Sequence, residues 1–242
     1  MDFLRFNPQP RLSAWPLPLA PAAVCVIADD VLADPQALVD WAAAQRFGAP
    51  AGYPYPGLVL PLPDELVQRV ADFFALQARG TLGGRRTLDS TVRLSLVTVP
   101  PEELAPCQWL CHRDRIDDTG VQLFAAAVLY LFHDPALGGT SFYRPRGTAA
   151  QTDALVADSL RLDAAAFGAR HGLQPGYMGG DNAFFERVAT VPAAWNRMIF
   201  YDGGLFHSAD VGNPMRFSAD PAAGRLTLNA FFTCRRHAAA GG

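Results

Sequence analysis

Residues 108–120 read QWLCHRDRIDDTG, and they place His112, Arg113, Asp114, Arg115, Asp117 and Asp118 between two mostly apolar segments, 92–99 and 121–132. How this polar island is read decides how the strands around it are read. As a solvated turn it only joins them, with an Asp capping local amides. As a ligand pair it makes them the walls of a metal pocket. On a strand, alternate side chains share a face, so His112 and Asp114 would point one way and Cys111 and Arg113 the other. An imidazole beside a carboxylate gives two cis ligands, and a third must then return from a distant strand.

Outward from the island the chain reads as β structure. TVRLSLVTV (91–99) alternates and is rich in β-branched residues. FAAAVLYLF (124–132), TSFYR (140–144), RMIFYDG (197–203), LFHSADV (205–211) and RLTLNAFFTC (225–234) follow, separated by glycines and prolines. Short apolar runs between turn formers are the pattern of an antiparallel sandwich or barrel. QTDALVADSLRLDAAAFGARHG (151–172) is an insertion of helical composition.

Before residue 91 the helix signals are stronger. Residues 1–22 are proline-rich and predict an extended surface segment, followed by a strand and turn over 23–32. A helix is predicted over 34–47, with Asp34 capping the free amides and Pro35 at the first helical position. A second is predicted over 64–79, where Leu66, Val70, Phe73 and Phe74 repeat at helical spacing. Between them, 48–63 holds five prolines and three glycines and is predicted to be a structured loop. The expected division is an N-terminal helical support region, 1–90, packed on a β core, 91–237, as one compact unit.

Bulk properties narrow the function classes. The chain has 242 residues, half of them hydrophobic and 18% charged, and a net charge of −3. That is a globular composition with no general attraction to nucleic acid or anionic membranes. No apolar run reaches the roughly 20 residues of a membrane helix. The start, MDFLRFNPQPRL, lacks the basic-then-apolar order of a secretory signal, so the expected location is cytoplasmic. Four cysteines (25, 107, 111 and 234) make no disulfide framework. Cys107, Cys111 and His112 lack a second pair at zinc-ligand spacing.

Two histidines and a carboxylate on one face of a non-haem iron leave three coordination positions open. Of the histidines besides His112, His133 precedes a turn, His171 lies in the helical insertion and His237 in the tail. His207 lies in YDGGLFHSADV, between apolar segments near the start of a strand, 207 − 114 = 93 residues beyond Asp114. In GRLTLNAFF, alternation places Arg225, Thr227 and Asn229 on one face, with Leu226, Leu228 and Ala230 on the other. A guanidinium directed inward is costly without an anion, and its planar fork suits a carboxylate.

With these residues in order, the C-terminal 150 or so resemble the Fe(II)- and 2-oxoglutarate-dependent dioxygenase superfamily. VLYLFHDPALGGTSFYRP (128–145) resembles the segment its prolyl-hydroxylase-like members place after the first two ligands. VCVIADDVLADPQALVDWA (24–42) resembles their N-terminal opening. Within the superfamily the chain looks closest to an uncharacterised bacterial oxygenase-like group. The resemblance implies a mainly β fold, a double-stranded β-helix (jelly-roll) with N-terminal helices. It implies His112, Asp114 and His207 as ligands of Fe(II). It implies Arg225, with Tyr130 and Thr227, as the site for the distal carboxylate of 2-oxoglutarate. O2 is the co-reactant, and the retained Asp114 implies hydroxylation rather than halogenation.

The spacing leaves a second arginine open. Arg225 follows His207 by 225 − 207 = 18 residues, longer than is common in the superfamily, whereas Arg216 follows by 216 − 207 = 9 but lies in a loop. Tyr130 reads alternatively as a core aromatic. Arg144 and Arg146 in FYRPRG are surface charges or contacts for an anionic substrate. Tyr53 and Tyr55 in YPYPG belong to a rigid loop or to a substrate wall. Arg113, Arg115, Asp117 and Asp118 are assigned to the solvated turn. The expected substrate is an amino acid, a peptide or a small metabolite. The rival expectations are a cupin-like metal enzyme that does not use 2-oxoglutarate, and a non-catalytic binding protein with a vestigial site.

Overall fold

A computed structural model describes residues 3–19, 21–114 and 120–236. The N-terminal part begins with β1 (Arg11–Leu17) and β2 (Ala23–Asp29), followed by α1 (Pro35–Ala43). Asp34 caps α1 by accepting from the Ala37 amide at 3.1 Å, and Pro35 opens the helix. Most described residues of the segment 1–22 are exposed or half-exposed, but Leu4 and Leu17 are buried, and β1 is hydrogen-bonded along its length to β2 and forms the edge of a sheet.

The predicted loop 48–63 is in part a strand, β3 (Gly57–Pro61). Proline content hid it: Pro56 and Pro61 bracket an alternating GLVLP run that pairs along its length with β4 (Gly84–Val97) and meets its other neighbour only through an isolated bridge from Val59 to Gly48. Gly57 lets the backbones meet, since a Cβ there would lie 1.9 Å from the Leu96 carbonyl oxygen. Between these strands lies α2 (Asp64–Gln77), with Leu66, Val70, Phe73 and Phe74 buried as the periodicity predicts.

The remaining elements are β5 (Gln122–Tyr130), β6 (Thr140–Pro145), α3 (Ala149–Arg161), α4 (Ala164–His171), β7 (Phe185–Val191), β8 (Arg197–Asp202), β9 (Phe206–Ala209) and β10 (Leu226–Arg236). Sequence reading missed β7. Its residues are mostly half-exposed, and it pairs only with β6 at the edge of the smaller sheet, so it carries little apolar pattern.

The strands form a seven-stranded sheet, β1-β2-β8-β5-β10-β4-β3, and a three-stranded sheet, β7-β6-β9. Every pairing is antiparallel. From β5 to β10 the chain visits the large sheet, the small sheet twice, the large, the small and the large again. That alternation is the winding of a jelly-roll, so the fold is mainly β with helical support.

The period-two pattern sorts side chains between two cores. Ala28, Leu129, Phe200, Leu228 and Phe232 face the helices. Their neighbours Ile27, Tyr130, Ile199 and Tyr201 face the small sheet. Phe74 of α2 stacks on Phe232 of β10 with ring centroids 3.9 Å apart, a contact worth about 0.5–1.5 kcal/mol beyond its buried area. A third cluster, including Trp109, Leu155, Phe167 and Phe206, seats α3 and α4 at the mouth of the jelly-roll. Among the described residues, no helix is long and apolar enough to cross a membrane.

Candidate metal centre

The segment carrying His112 is not the regular strand that alternation assumed. It meets the small sheet through one isolated bridge to β9, between His112 and His207. Each of these residues donates its backbone N–H to the other's carbonyl at 2.9 Å, and the Asp114 N–H donates to the Gly203 carbonyl at 2.8 Å. Asp114 lies in a bend. The predicted cis pair therefore forms through a bridge followed by a bend. His207 is on β9, where the sequence placed it.

His112, Asp114 and His207 form the one group of three or more potential metal ligands among the described residues, with donor atoms all within 4.8 Å of one another. Asp114 stands between the imidazoles: Oδ1 is 3.6 Å from His112 Nε2, and Oδ2 is 3.5 Å from His207 Nε2. Ligands at roughly 2.1 Å and right angles would be about 3 Å apart, so a small closure brings the three onto one ion. Two nitrogens and one oxygen suit iron, nickel, cobalt or zinc rather than calcium.

Protonation states agree with ligation. The His207 Nδ1–H donates to the Leu205 carbonyl at 2.8 Å. A carbonyl can only accept, which fixes the tautomer and leaves Nε2 as a lone-pair donor. Burial pushes the His207 imidazole down to about 4 despite the opposing pull of Asp114, so it is neutral at pH 7. Burial alone would raise the Asp114 carboxyl. Its coupling to His207, a hydrogen bond with His112 and the nearby Arg93 outweigh that and hold it below the usual carboxylate range. His112 is the open side of the cluster, its side chain 56% exposed.

The cluster lies in a cavity of about 580 Å³ whose lining also includes Arg225, Thr227, Tyr53 and Tyr55. Arg225 is 4% exposed. Its Nε donates to the Leu137 carbonyl at 2.8 Å, and its Nη2 to those of Gly138 and Gly139 at 3.2 and 2.9 Å. No hydrogen bond to a described residue takes Nη1. The Gly-Gly turn therefore holds one edge of the fork. Gly138 has φ +75, and a Cβ there would lie 1.6 Å from the Asp210 carbonyl oxygen, so only glycine fits.

Several expected residues stand elsewhere. Tyr130 does not line the cavity. Its hydroxyl hydrogen-bonds Thr140, which does, at 2.8 Å, and burial pushes that hydroxyl far up. Arg216 lies outside the cavity, ion-paired with Asp134. Arg144 pairs with Glu186 and Arg146 with Asp181, both outside the lining. Arg113 is not in a solvated turn: it stacks over Phe206 at 4.5 Å and pairs with Asp153 of α3 at 3.3 Å. Arg115, Asp117, Asp118 and His237 lie outside the described residues.

Three contributors were not read from the sequence. Arg93 of β4 lines the cavity opposite Asn229 of β10. A lone arginine inside the alternating run TVRLSLVTV was the available signal. Val156, Ser159 and Leu160 of α3 close one wall, which the helical composition of that insertion did not reveal. Gly203 packs against the metal cluster, since a Cβ there would lie 2.8 Å from Asp114 Oδ2.

Three solved structures resemble the chain at low identity. HygX from Streptomyces hygroscopicus, with nickel and 2-oxoglutarate bound, is 13% identical, covers 76% of this chain and 72% of its own, and gives a TM-score of 0.44. An N-substituted L-amino acid dioxygenase from Burkholderia ambifaria is 11% identical over 94% of this chain and 100% of its own, with a TM-score of 0.40. AviO1 from Streptomyces viridochromogenes is 15% identical over 99% of this chain and 94% of its own, with a TM-score of 0.34. No curated protein matches the sequence. The sequence does match, over residues 8–232, the family described as a family of unknown function, DUF6445, and the chain belongs to that family.

Proposed function

We propose that the chain is an Fe(II)- and 2-oxoglutarate-dependent oxygenase that hydroxylates an unactivated C–H bond of an amino acid, a peptide or a small metabolite. The observation that carries this reading is one cavity holding both a two-His, one-carboxylate cluster and an inward guanidinium. The metal and cosubstrate, when bound, supply the activation of O2.

The chain's own residues supply binding and order. His112, Asp114 and His207 would hold the metal at the cavity wall. Arg225, oriented by the Gly-Gly turn, offers Nη1 to the distal carboxylate of the cosubstrate, with the Thr227 hydroxyl on the same strand face. Tyr130 acts at one remove, by orienting Thr140. Tyr53, Tyr55 and α3 enclose the substrate and limit water. The site of action is proposed to be the cytoplasm.

A second reading has one observation in its favour. Three carbonyls already engage Arg225, which is compatible with a cupin-like metal enzyme that does not use 2-oxoglutarate. The test is succinate release from 2-oxoglutarate by the iron-loaded protein, with a substrate screen to stimulate it. Release that disappears in His112→Ala and Asp114→Ala supports the oxygenase. Iron binding without any 2-oxoglutarate binding favours the cupin-like enzyme.

A further inference from the structure

Arg93 lines the cavity with Arg225 and Arg113, and among the described residues it alone of the three has no hydrogen bond and no ion pair. Its Nε is buried and partnerless. Three aromatic rings surround it: Tyr53 at 4.3 Å, Phe231 at 4.6 Å and Tyr55 at 5.9 Å from its central carbon. Aromatic faces stabilise a cation without using its hydrogen-bond donors. The arrangement therefore holds a charge in place and leaves its donors unused.

Among the described residues, the other two buried side-chain nitrogen or oxygen atoms without a hydrogen-bond partner are Tyr55 Oη and Ser95 Oγ. Arg93 and Ser95 share a face of β4 by alternation, opposite Asn229 and Thr227 of β10. Tyr55 approaches the Ser95 and Thr227 hydroxyls without reaching hydrogen-bonding geometry with either, and its hydroxyl feels the charges of both Arg93 and Arg225. Buried polar atoms are nearly always satisfied. A cluster of unsatisfied ones beside a cavity marks where a bound molecule completes the set.

We propose that Arg93 is a specificity-determining residue that binds a carboxylate of the primary substrate, and that the substrate is a carboxylic acid with an apolar body. This rests on the oxygenase reading, in which the metal and Arg225 take the two carboxylates of the cosubstrate. Arg93 is not a second hand on the same group. By register it stands opposite Asn229, four residues along from Arg225, about 13 Å of strand. Arg93 lines the same cavity as His112, Asp114 and His207, so a carboxylate held there keeps the rest of the molecule in the cavity with the candidate ligands. The same cavity is lined in part by the apolar side chains of Leu110, Ala126, Val128, Leu160 and Phe206.

The test uses the full chain loaded with nickel and 2-oxoglutarate, an inert pair, titrated with 3-phenylpropionate and N-acetyl-L-leucine and with the amide of each. The carboxylates should bind and the amides should bind at least about tenfold more weakly, the loss expected for one charge-assisted hydrogen bond. Arg93→Gln should abolish that preference while retaining 2-oxoglutarate, and Arg93→Lys, which keeps the charge but not the fork, should restore part of it. The proposal is overturned if Arg93→Gln keeps the preference, if no carboxylate binds the wild type, or if Arg93→Gln instead loses 2-oxoglutarate. Failure of the wild type to bind 2-oxoglutarate counts against the oxygenase reading alone. The carboxylate-against-amide comparison is then read on the nickel-loaded protein.

Discussion

His112 and His207 are joined by a reciprocal pair of backbone hydrogen bonds, 2.9 Å in each direction, and their rings stand 4.5 Å apart. The bridge is the single rung by which the His112 segment is held to β9. Two candidate ligands far apart in sequence thus have their backbones fixed to each other, and Asp114 is carried between them. Such preorganisation lowers the cost of ligation.

Gly203 extends that frame. Its carbonyl accepts from the Asp114 amide, and its own amide donates to the Phe124 carbonyl. Gly203→Ala should leave the fold intact but displace the Asp114 carboxylate, because the added methyl would lie 2.8 Å from Oδ2 and 2.9 Å from the Phe124 carbonyl oxygen. Nickel or cobalt affinity, measured by calorimetry, should fall by roughly 10–100-fold, as for loss of an outer-shell partner. Unchanged affinity would show that the carboxylate is not held where metal binds.

Removing a ligand should do more. Asp114→Ala and His112→Ala should each weaken metal binding by more than about 100-fold, beyond what outer-shell changes cost. Thermal stability without metal should change little for His112→Ala, whose side chain is mostly exposed. Equilibrium dialysis against Co(II) reads the first effect and calorimetric melting the second. Wild-type affinity in Asp114→Ala would remove Asp114 from the ligand set.

The two arginines that the sequence left open separate cleanly. Arg225→Ala should raise the 2-oxoglutarate requirement by about two orders of magnitude, the scale of a lost pair of charge-assisted hydrogen bonds. Arg216→Ala, which breaks a surface pair with Asp134, should leave it unchanged. The reverse result would make Arg216 the cosubstrate anchor.

The α3 wall should loosen in acid. Asp158 of α3 accepts from Arg161 at 2.8 Å and meets Arg170 and His171 of α4 at 3.1 and 3.0 Å. The Arg161 hydrogen bond, with His171 and Arg170, holds its carboxyl below the usual range against the opposing effect of burial. A carboxyl depressed in the folded state stabilises at neutral pH, and that contribution disappears as pH falls through its folded value. Amide protection in α3 and α4, taken relative to the intrinsic exchange rate at each pH, should therefore fall in acid. Asp158→Asn should already show the lower protection at pH 7 and a weaker pH response. Identical pH profiles would assign the packing of these helices to their apolar contacts alone.

How much of this was legible in the sequence depended on what kind of signal each element carries. The strands from β4 to β10 announced themselves where both faces are buried, as in β5, β8 and β10, because burial on both faces makes them nearly continuous apolar runs. Edge strands β1, β3 and β7 each pair along their length with one neighbouring strand only, so prolines and polar residues occur in them and mask the pattern. His112, Asp114 and His207 could be ordered from spacing, but a strand was assumed where the backbone makes a bridge and a bend. Arg225 was found because its strand is regular. Arg93 was passed over although the same argument applies to it, and Tyr130 was placed in the site although its hydroxyl bonds Thr140. Which atom a side chain meets depends on packing from several elements, and no local run of sequence contains that.

The most direct test of the oxygenase reading is anaerobic addition of 2-oxoglutarate to the Fe(II)-loaded protein, followed by optical absorption. The account expects a metal-to-ligand charge-transfer band in the wild type that is absent in Asp114→Ala and needs far more 2-oxoglutarate in Arg225→Ala. A wild-type protein that binds Fe(II) but develops no such band at saturating 2-oxoglutarate would contradict it.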